Sequence, residues 1–423
     1  MSLIRTSFWN GIAVAVRMGT ALLLNKILAI YVGPSGYAII GQFQNLVGMI
    51  VTFATGATNT GVVKYTAEFF DDEASQRRLW QTAGTITLIA SLISAIAIVL
   101  ARDFLARELL HDPAFASIFL WLAAGLIFIS LNALLLALLN GKKEVKRYVV
   151  SNIAGSLIGL GVTGALAYWY GLYGTLVALS INQALVFFVT FHQVSRTAWF
   201  RLRYLVGRID RAHLRALGGF VAMAAASAIA APLSQLAVRN DLAAQFGWDY
   251  AGYWDAMWRV STIYLTFVTV TLSLYYLPRL SEIRDPAELR REILGTYRVV
   301  VPTVTVISLA LYLLRDLVIA ILFTRAFAPM EVLFSWQMAG DVVKISSWVL
   351  SFVMLGRGMT RLFIVTELLF ALSFWASAAL FTRLFGFEGV AMAHLANYAV
   401  YMVAMWYLIL VRSPETRPMP GRA

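Results

Sequence analysis

Seven ionisable residues fall inside stretches that are otherwise apolar: Arg17, Lys26, Asp255, Arg259, Asp341, Lys344 and Glu367. A charge placed among acyl chains is costly unless it is paired or wetted, so such residues mark a cavity or pathway. Asp255 and Arg259 stand at i, i+4, and Asp341 and Lys344 at i, i+3, so each pair shares a helix face and can partly neutralise itself. Glu367 lies two turns from Arg361, a candidate partner. Arg17 and Lys26 have no acidic neighbour in their own segment, and Arg17 sits about 18 Å from its start at 1.5 Å per residue. Nine positions apart, these two point to opposite sides of a straight helix, and sharing one cavity requires a bend such as Gly19 allows. Arg17, Lys26, Arg259 and Lys344 outnumber the three acids, and guanidinium forks and ammonium groups suit phosphate oxygens. The expected cargo is therefore anionic. A site for organic cations would need the reverse, an acidic cavity with aromatic faces. Asp255, Asp341 and Glu367 are then candidates for ion coupling or for structural pairs, and Lys64 and Arg279 are weaker cargo-binding candidates.

The elements that position these residues must be membrane helices. The chain has 423 residues, is 60% hydrophobic and only 13% charged, with mean hydropathy +0.75. Apolar stretches able to cross ~30 Å of hydrocarbon are expected near 6–32, 37–63, 80–101, 114–139, 148–170, 172–194, 216–240, 250–277, 297–314, 330–355, 361–384 and 387–411. These twelve divide six and six about residue 205. A shift of 215 residues lays the second half on the first: Phe119, Trp121, Ala124 and Gly125 meet Phe334, Trp336, Ala339 and Gly340. Gly141, Lys142 and Lys146 meet Gly356, Arg357 and Arg361, Asn182 meets Asn397, and Lys64 meets Arg279. An aromatic-Gly-x-x-Gly pattern recurs at Tyr170–Gly174 and Phe385–Gly389. The expected fold is an all-α polytopic membrane protein, with two six-helix lobes related by a parallel internal repeat around a central cavity. The expected N-lobe is 1–205, with most of a linker at 196–215, and the C-lobe is 206–423. Gly11 and Gly19 in the first helix and Pro232 in the seventh are candidate bending points.

The net charge of +12 follows topology. With the N terminus inside, 24 basic residues flank cytoplasmic ends and six the opposite side, which sets both termini in the cytoplasm. The basicity is thus no sign of nucleic acid. The absence of cysteine, four scattered histidines and Gly141-Lys142 without an upstream phosphate-loop glycine leave no metal site, cofactor or nucleotide motif. External connections are short, which argues against a polymerase or ligase, so no enzyme is expected. The linker mixes Trp199, Phe200, Tyr204 and Leu205 with arginines, a composition suited either to the anionic headgroup layer or to an ordinary basic loop.

The stretch Leu314-Arg315-Asp316-Leu317 with Phe334-Ser335-Trp336-Gln337-Met338-Ala339-Gly340-Asp341-Val342-Val343-Lys344 resembles the tenth-helix region of Wzx-type flippases. Met1-Ser2-Leu3, Arg17 and Lys26, Gly33-Pro34-Ser35-Gly36, Gly61-Val62-Val63-Lys64-Tyr65 and Tyr276-Leu277-Pro278-Arg279-Leu280-Ser281 match in order and spacing, to about residue 411. Within this family the likeness is strongest to the branch serving the undecaprenyl diphosphate-linked repeat of enterobacterial common antigen. The family shares a superfamily with the multidrug antiporters. The resemblance implies export of an O-antigen-type lipid-linked oligosaccharide across the bacterial inner membrane, with membrane lipids and polysaccharide polymerase or assembly proteins as partners. It also implies a cationic cavity at Arg17, Lys26, Arg259 and Lys344, where Arg17 stands in place of the family's common lysine. A drug or organic-cation antiporter is the alternative.

Overall fold

The computed structural model describes the backbone of residues 3–283 and 285–411, with side chains at 3–10, 215, 216, 219, 220, 223, 274, 278 and 281 left aside. Of the basic residues counted for topology, Arg5, Arg215, Arg284, Arg412, Arg417 and Arg422 therefore lie outside the described side chains, as do Met1 and Ser2 of the family match. Every regular element among the described residues is helical. The chain divides into two compact units, Met1–Pro232 and Leu233–Ala423.

Unit 1 holds α1 (Leu3–Tyr31), α2 (Gly33–Ala54), α3 (Asn59–Glu68), α4 (Glu73–Leu109), α5 (Ala116–Gly141), α6 (Val145–Ser195) and the start of α7 (Arg211–Phe246). Unit 2 continues α7 beyond Pro232 and adds α8 (Trp248–Thr271), α9 (Leu277–Glu282), α10 (Pro286–Leu313), α11 (Arg315–Leu322), α12 (Phe334–Gly356), α13 (Thr360–Phe385) and α14 (Gly389–Trp406). A π-helical turn at Leu272–Tyr276 joins α8 to α9. Among the described residues, eight helical runs are long and apolar enough to cross a membrane. Aspartates start the polar ends: the Asp72 and Asp285 carboxylates each accept a backbone N–H three residues on, at 3.0 Å.

Two of the eight runs, Val145–Ser195 and Thr360–Val411, have 51 and 52 residues, more than twice the length that one crossing needs. Each is broken at the first glycine of the repeated aromatic-Gly-x-x-Gly pattern. Gly171 has φ 54° and ψ −130°, and Gly386 has φ 71° and ψ −154°, backbone that side-chain-bearing residues rarely adopt. The second glycine permits the crossing. A Cβ on Gly174 would lie 2.1 Å from the Leu166 carbonyl oxygen, and one on Gly389 would lie 2.1 Å from that of Phe381. Leu166 and Phe381 are themselves 215 residues apart, so the repeated sequence builds the same turn twice.

Other repeated glycines behave alike. A Cβ on Gly125 would lie 3.2 Å from the Ser180 carbonyl oxygen, and one on Gly340 would lie 3.2 Å from the Leu395 Cα, again one offset apart. Gly141 meets Val63 and Thr66, while Gly356 meets Leu277 and Leu280. Each unit also contains an apolar cluster. In unit 1, Leu79, Trp80, Leu134 and Leu138 cluster with Phe200, Tyr204 and Leu205 of the linker. In unit 2, Tyr276, Ile345, Val349 and Tyr401 belong to one cluster.

Several of the linker's apolar residues thus pack against the bundle, while Leu202, Val206 and Ile209 are exposed. Phe200, Tyr204 and Leu205 are buried, and the Trp199 ring lies 5.4 Å from that of Trp80. The Leu205 carbonyl passes so close to Gly84 that a Cβ there would sit 2.1 Å from its oxygen. The Gly207 and Asp210 amides donate to the Thr85 and Thr82 hydroxyls at 3.1 and 3.0 Å. Lys142 closes this end of the bundle, donating to Gln76 Oε1 at 2.8 Å with its ammonium 5.0 Å from the Phe70 ring. Burial pushes its pKa below the ordinary lysine value.

Candidate functional site

In unit 1 the two candidate cations lie on α1, which runs unbroken from Leu3 to Tyr31. Arg17 is exposed and Lys26 half-buried. The helix is continuous through Gly19, so the nine-residue separation leaves them on opposite sides, and unit 1 by itself does not bring them together. Lys64 is exposed on α3, its ammonium 5.0 Å from the Tyr65 ring.

Unit 2 collects its charges into two buried clusters. In the first, Asp255 is only 3% exposed. Its Oδ2 accepts from Arg259 Nε at 3.0 Å, the i, i+4 pair that the spacing predicts. Its Oδ1 accepts from Nε and Nη2 of Arg239 at 3.0 and 2.6 Å. Sequence reasoning missed Arg239, placing it among the external basic residues because it stands near the end of α7. The positive-φ glycine at position 247 turns α7 into α8, which returns Arg239 against Asp255. The Arg239 guanidinium carbon lies 5.5 Å from the Trp254 ring, and its Nη1 is buried without a hydrogen-bond partner. Two arginines around one aspartate leave the cluster net positive.

The second cluster surrounds Asp341, which is 0% exposed. The Tyr264 hydroxyl donates to its Oδ2 at 2.9 Å, and His394 Nε2 lies 3.0 Å from its Oδ1. Gln337 Nε2 reaches the same oxygen at 3.4 Å and Ser261 Oγ at 3.2 Å. His394 went unnoticed in the sequence as one of four scattered histidines. The signal was Gly340: a Cβ there would lie 2.4 Å from His394 Cδ2, so the glycine makes the ring's space. A neutral imidazole carrying its proton on Nε2 satisfies Asp341 and leaves Nδ1 the unpartnered buried nitrogen.

Lys344 does not bond to Asp341, although the i, i+3 spacing predicts that pair. Its ammonium lies 4.6, 5.1 and 5.3 Å from the ring centres of Trp258, Trp348 and Tyr398, with the residue 7% exposed. Ring faces attract the ammonium, and the carboxylate is already occupied by Tyr264, His394 and Gln337. On α13, Glu367 is half-buried and Arg361 exposed, and among the described residues no ion pair joins them. Arg279 lies at the other end of the unit, with its Nη2 2.7 Å from Glu288 and further glutamates, Glu282 and Glu292, at 3.5 and 3.9 Å. Among the described residues, no group of three or more His, Asp or Glu is placed to hold a metal.

The comparisons with known proteins agree with this architecture. The polysaccharide biosynthesis protein family matches residues 27–332. The chain is 31% identical to the lipid III flippase of Escherichia coli (strain K12) over 411 residues, covering 95% of this chain and 96% of that one, and equally to the lipid III flippase of Shigella flexneri. Among solved structures, an inward-facing multidrug resistance MATE family transporter of the MOP superfamily superposes with TM-score 0.75 at 14% identity, covering 94% and 98% of the two chains. The lipid II flippase MurJ, in an inward closed conformation, does so with TM-score 0.72 at 14% identity, covering 96% of this chain and 88% of that one. These structures share the fold. A match along nearly the full length of both chains places this protein, as a multi-pass membrane transporter and not an enzyme, in the polysaccharide biosynthesis family of Wzx-type flippases.

Proposed function

We propose that this chain turns an undecaprenyl diphosphate-linked oligosaccharide, a lipid III or O-antigen-type unit, from the inner to the outer leaflet of the bacterial inner membrane. Twelve spans in two six-helix lobes, 1–205 and 206–423, rock about a central cavity, with both termini in the cytoplasm. Sugars and diphosphate enter the cavity while the polyprenyl tail stays in lipid. A bare diphosphate cannot cross hydrocarbon, so cations must stand in for its water. Arg17, Lys26, Arg259 and Lys344 take that role, with Lys64 and Arg279 as weaker candidates. The observation that carries this reading is the full-length match to flippases of a lipid-linked oligosaccharide, joined to the cationic excess of the apolar segments. The Arg239–Asp255–Arg259 cluster supports it by holding Arg259 beside an aspartate already satisfied by another arginine. Asp341 with His394, and Glu367, are the groups through which an ion gradient would act.

Vesicles containing the purified protein and a labelled lipid-linked oligosaccharide test cargo and drive together. Sugar should become accessible on the far side only with the protein present, and Arg17→Glu with Lys26→Glu should abolish this. Transport unchanged in that double variant overturns the cationic pathway. Stabilisation of the protein by lipophilic cations, with transport dependent on the acids alone, would favour the antiporter reading.

A further inference from the structure

A cleft of about 500 Å³ opens beside the π-helical turn at Leu272–Tyr276, between that turn and the first turns of α10. It lies wholly in unit 2 and is separate from the clusters around Asp255 and Asp341. Its wall is graded. Glu288, Arg291 and Glu292 line one end, Gly295 the middle, and Val299 and Val300 the other, at the spacing of one helix face. From Glu288 to Val299 the gradient runs about 16 Å along α10. Across from it, Leu272 and Tyr275 extend the apolar wall, and Tyr276, 1% exposed, lies at the buried side with its hydroxyl unpartnered. π-Turns persist at a cost in helix geometry and recur at functional sites.

The charges at the polar end are balanced: two arginines, Arg279 and Arg291, against Glu288 and Glu292. Arg279 is held by Glu288 at 2.7 Å, whereas Glu292 stands 3.9 Å from it, beyond hydrogen-bond distance. Arg291 is exposed. Glu292 and Arg291 therefore present one acceptor and one donor of opposite sign, next to each other, at the mouth. Tyr275 of the π-turn and Val299 of α10 are both 67% exposed at the apolar end, and α10 is apolar enough to span a membrane.

From this grading we infer that the cleft seats a zwitterionic aminophospholipid. Its phosphodiester meets Arg291, its primary ammonium meets Glu292, and its acyl chains run past Gly295 along Val299, Leu272 and Tyr275. The occupant is a lipid of the surrounding bilayer, and the inference stands whatever the transported cargo is. A net-anionic headgroup would leave Glu292 facing a like charge, which disfavours it.

Native mass spectrometry of the purified full chain tests this with phosphatidylethanolamine, phosphatidylglycerol and tail-free glycerophosphoethanolamine as probes. Phosphatidylethanolamine should be retained about tenfold more strongly than phosphatidylglycerol, one charge-assisted hydrogen bond's worth. Glycerophosphoethanolamine should bind weakly for want of the apolar wall. A Cβ at position 295 meets nothing within 4 Å, so Gly295→Leu projects a side chain from the middle of the cleft wall and should remove the preference. Glu292→Gln leaves the Arg279–Glu288 pair in place and should erase the discrimination against phosphatidylglycerol. Equal retention of the two lipids by the unaltered chain overturns the proposal. So does a preference that survives both substitutions, or tail-free headgroup binding as tight as the lipid, which would mean a soluble ligand.

Discussion

At positions one offset of 215 residues apart, Leu122, Leu126, Ile129 and Leu179 of unit 1 stand where unit 2 has Gln337, Asp341, Lys344 and His394. In the preceding hairpin the register slips by one, and Ile39 and Phe43 stand for Asp255 and Arg259. The glycines that set the backbone are common to both halves: Gly125 with Gly340, Gly141 with Gly356, Gly174 with Gly389. The same crossings are filled with hydrocarbon in one unit and with a polar network in the other. Replacing a buried ion pair by apolar groups of similar volume is often neutral or stabilising. Unit 1 demonstrates that the bundle does not require the charges, so their presence in unit 2 points to work other than holding helices together.

That contrast can be broken in graded steps. The largest effect is expected from Asp255→Ala, which strands two arginines, one of them 2% exposed, in a site built for three charges. A loss of about 3–5 kcal/mol should appear in unfolding of the purified protein. If Asp255→Ala together with Arg239→Met and Arg259→Met recovers most of that loss, the network is dispensable for stability, as unit 1 indicates.

Next come the shared turns. Gly174→Ala and Gly389→Ala each drive a methyl into a carbonyl and should cost about 1–3 kcal/mol apiece. Equal losses would confirm that the two units rely on the same crossing, and a loss confined to one would break the comparison. Smaller again is Trp258→Leu, which removes one of three rings around the Lys344 ammonium. About 1 kcal/mol should be lost, read by the same unfolding measurement. The smallest effect on stability is expected from Arg17→Gln, within about 0.5 kcal/mol because the side chain is exposed. Transport of a labelled lipid-linked oligosaccharide should nonetheless fall sharply. A variant with unchanged stability and unchanged transport would remove Arg17 from the pathway.

How much was legible in advance varied with the range of the interaction. The turns at Gly171 and Gly386 could be read because glycine at a positive φ is a local demand, and its repetition marked it. The Asp255–Arg259 pair could be read because four residues is one helical turn. Arg239 could not, since its distance from Asp255 in sequence says nothing until the glycine at 247 folds α7 onto α8. The Asp341–Lys344 pair was legible and absent, because Tyr264 and His394, from two other helices, take the carboxylate first. The linker's composition left a headgroup layer and an ordinary basic loop both open, and the close approach of Leu205 to Gly84 on α4 is a contact that its composition does not carry.

The sequence by itself determined the helical membrane class, the duplication, the hairpin turns and the surplus of cations, because these rest on composition, period and single-residue backbone limits. Only the tertiary structure decided which charge each acid holds, that Lys344 lies among rings, and that a graded cleft opens beside α10. Those outcomes depend on which faces of distant helices meet. A side chain takes its nearest complementary group in space, and spacing along the chain reveals that group only within a turn or two.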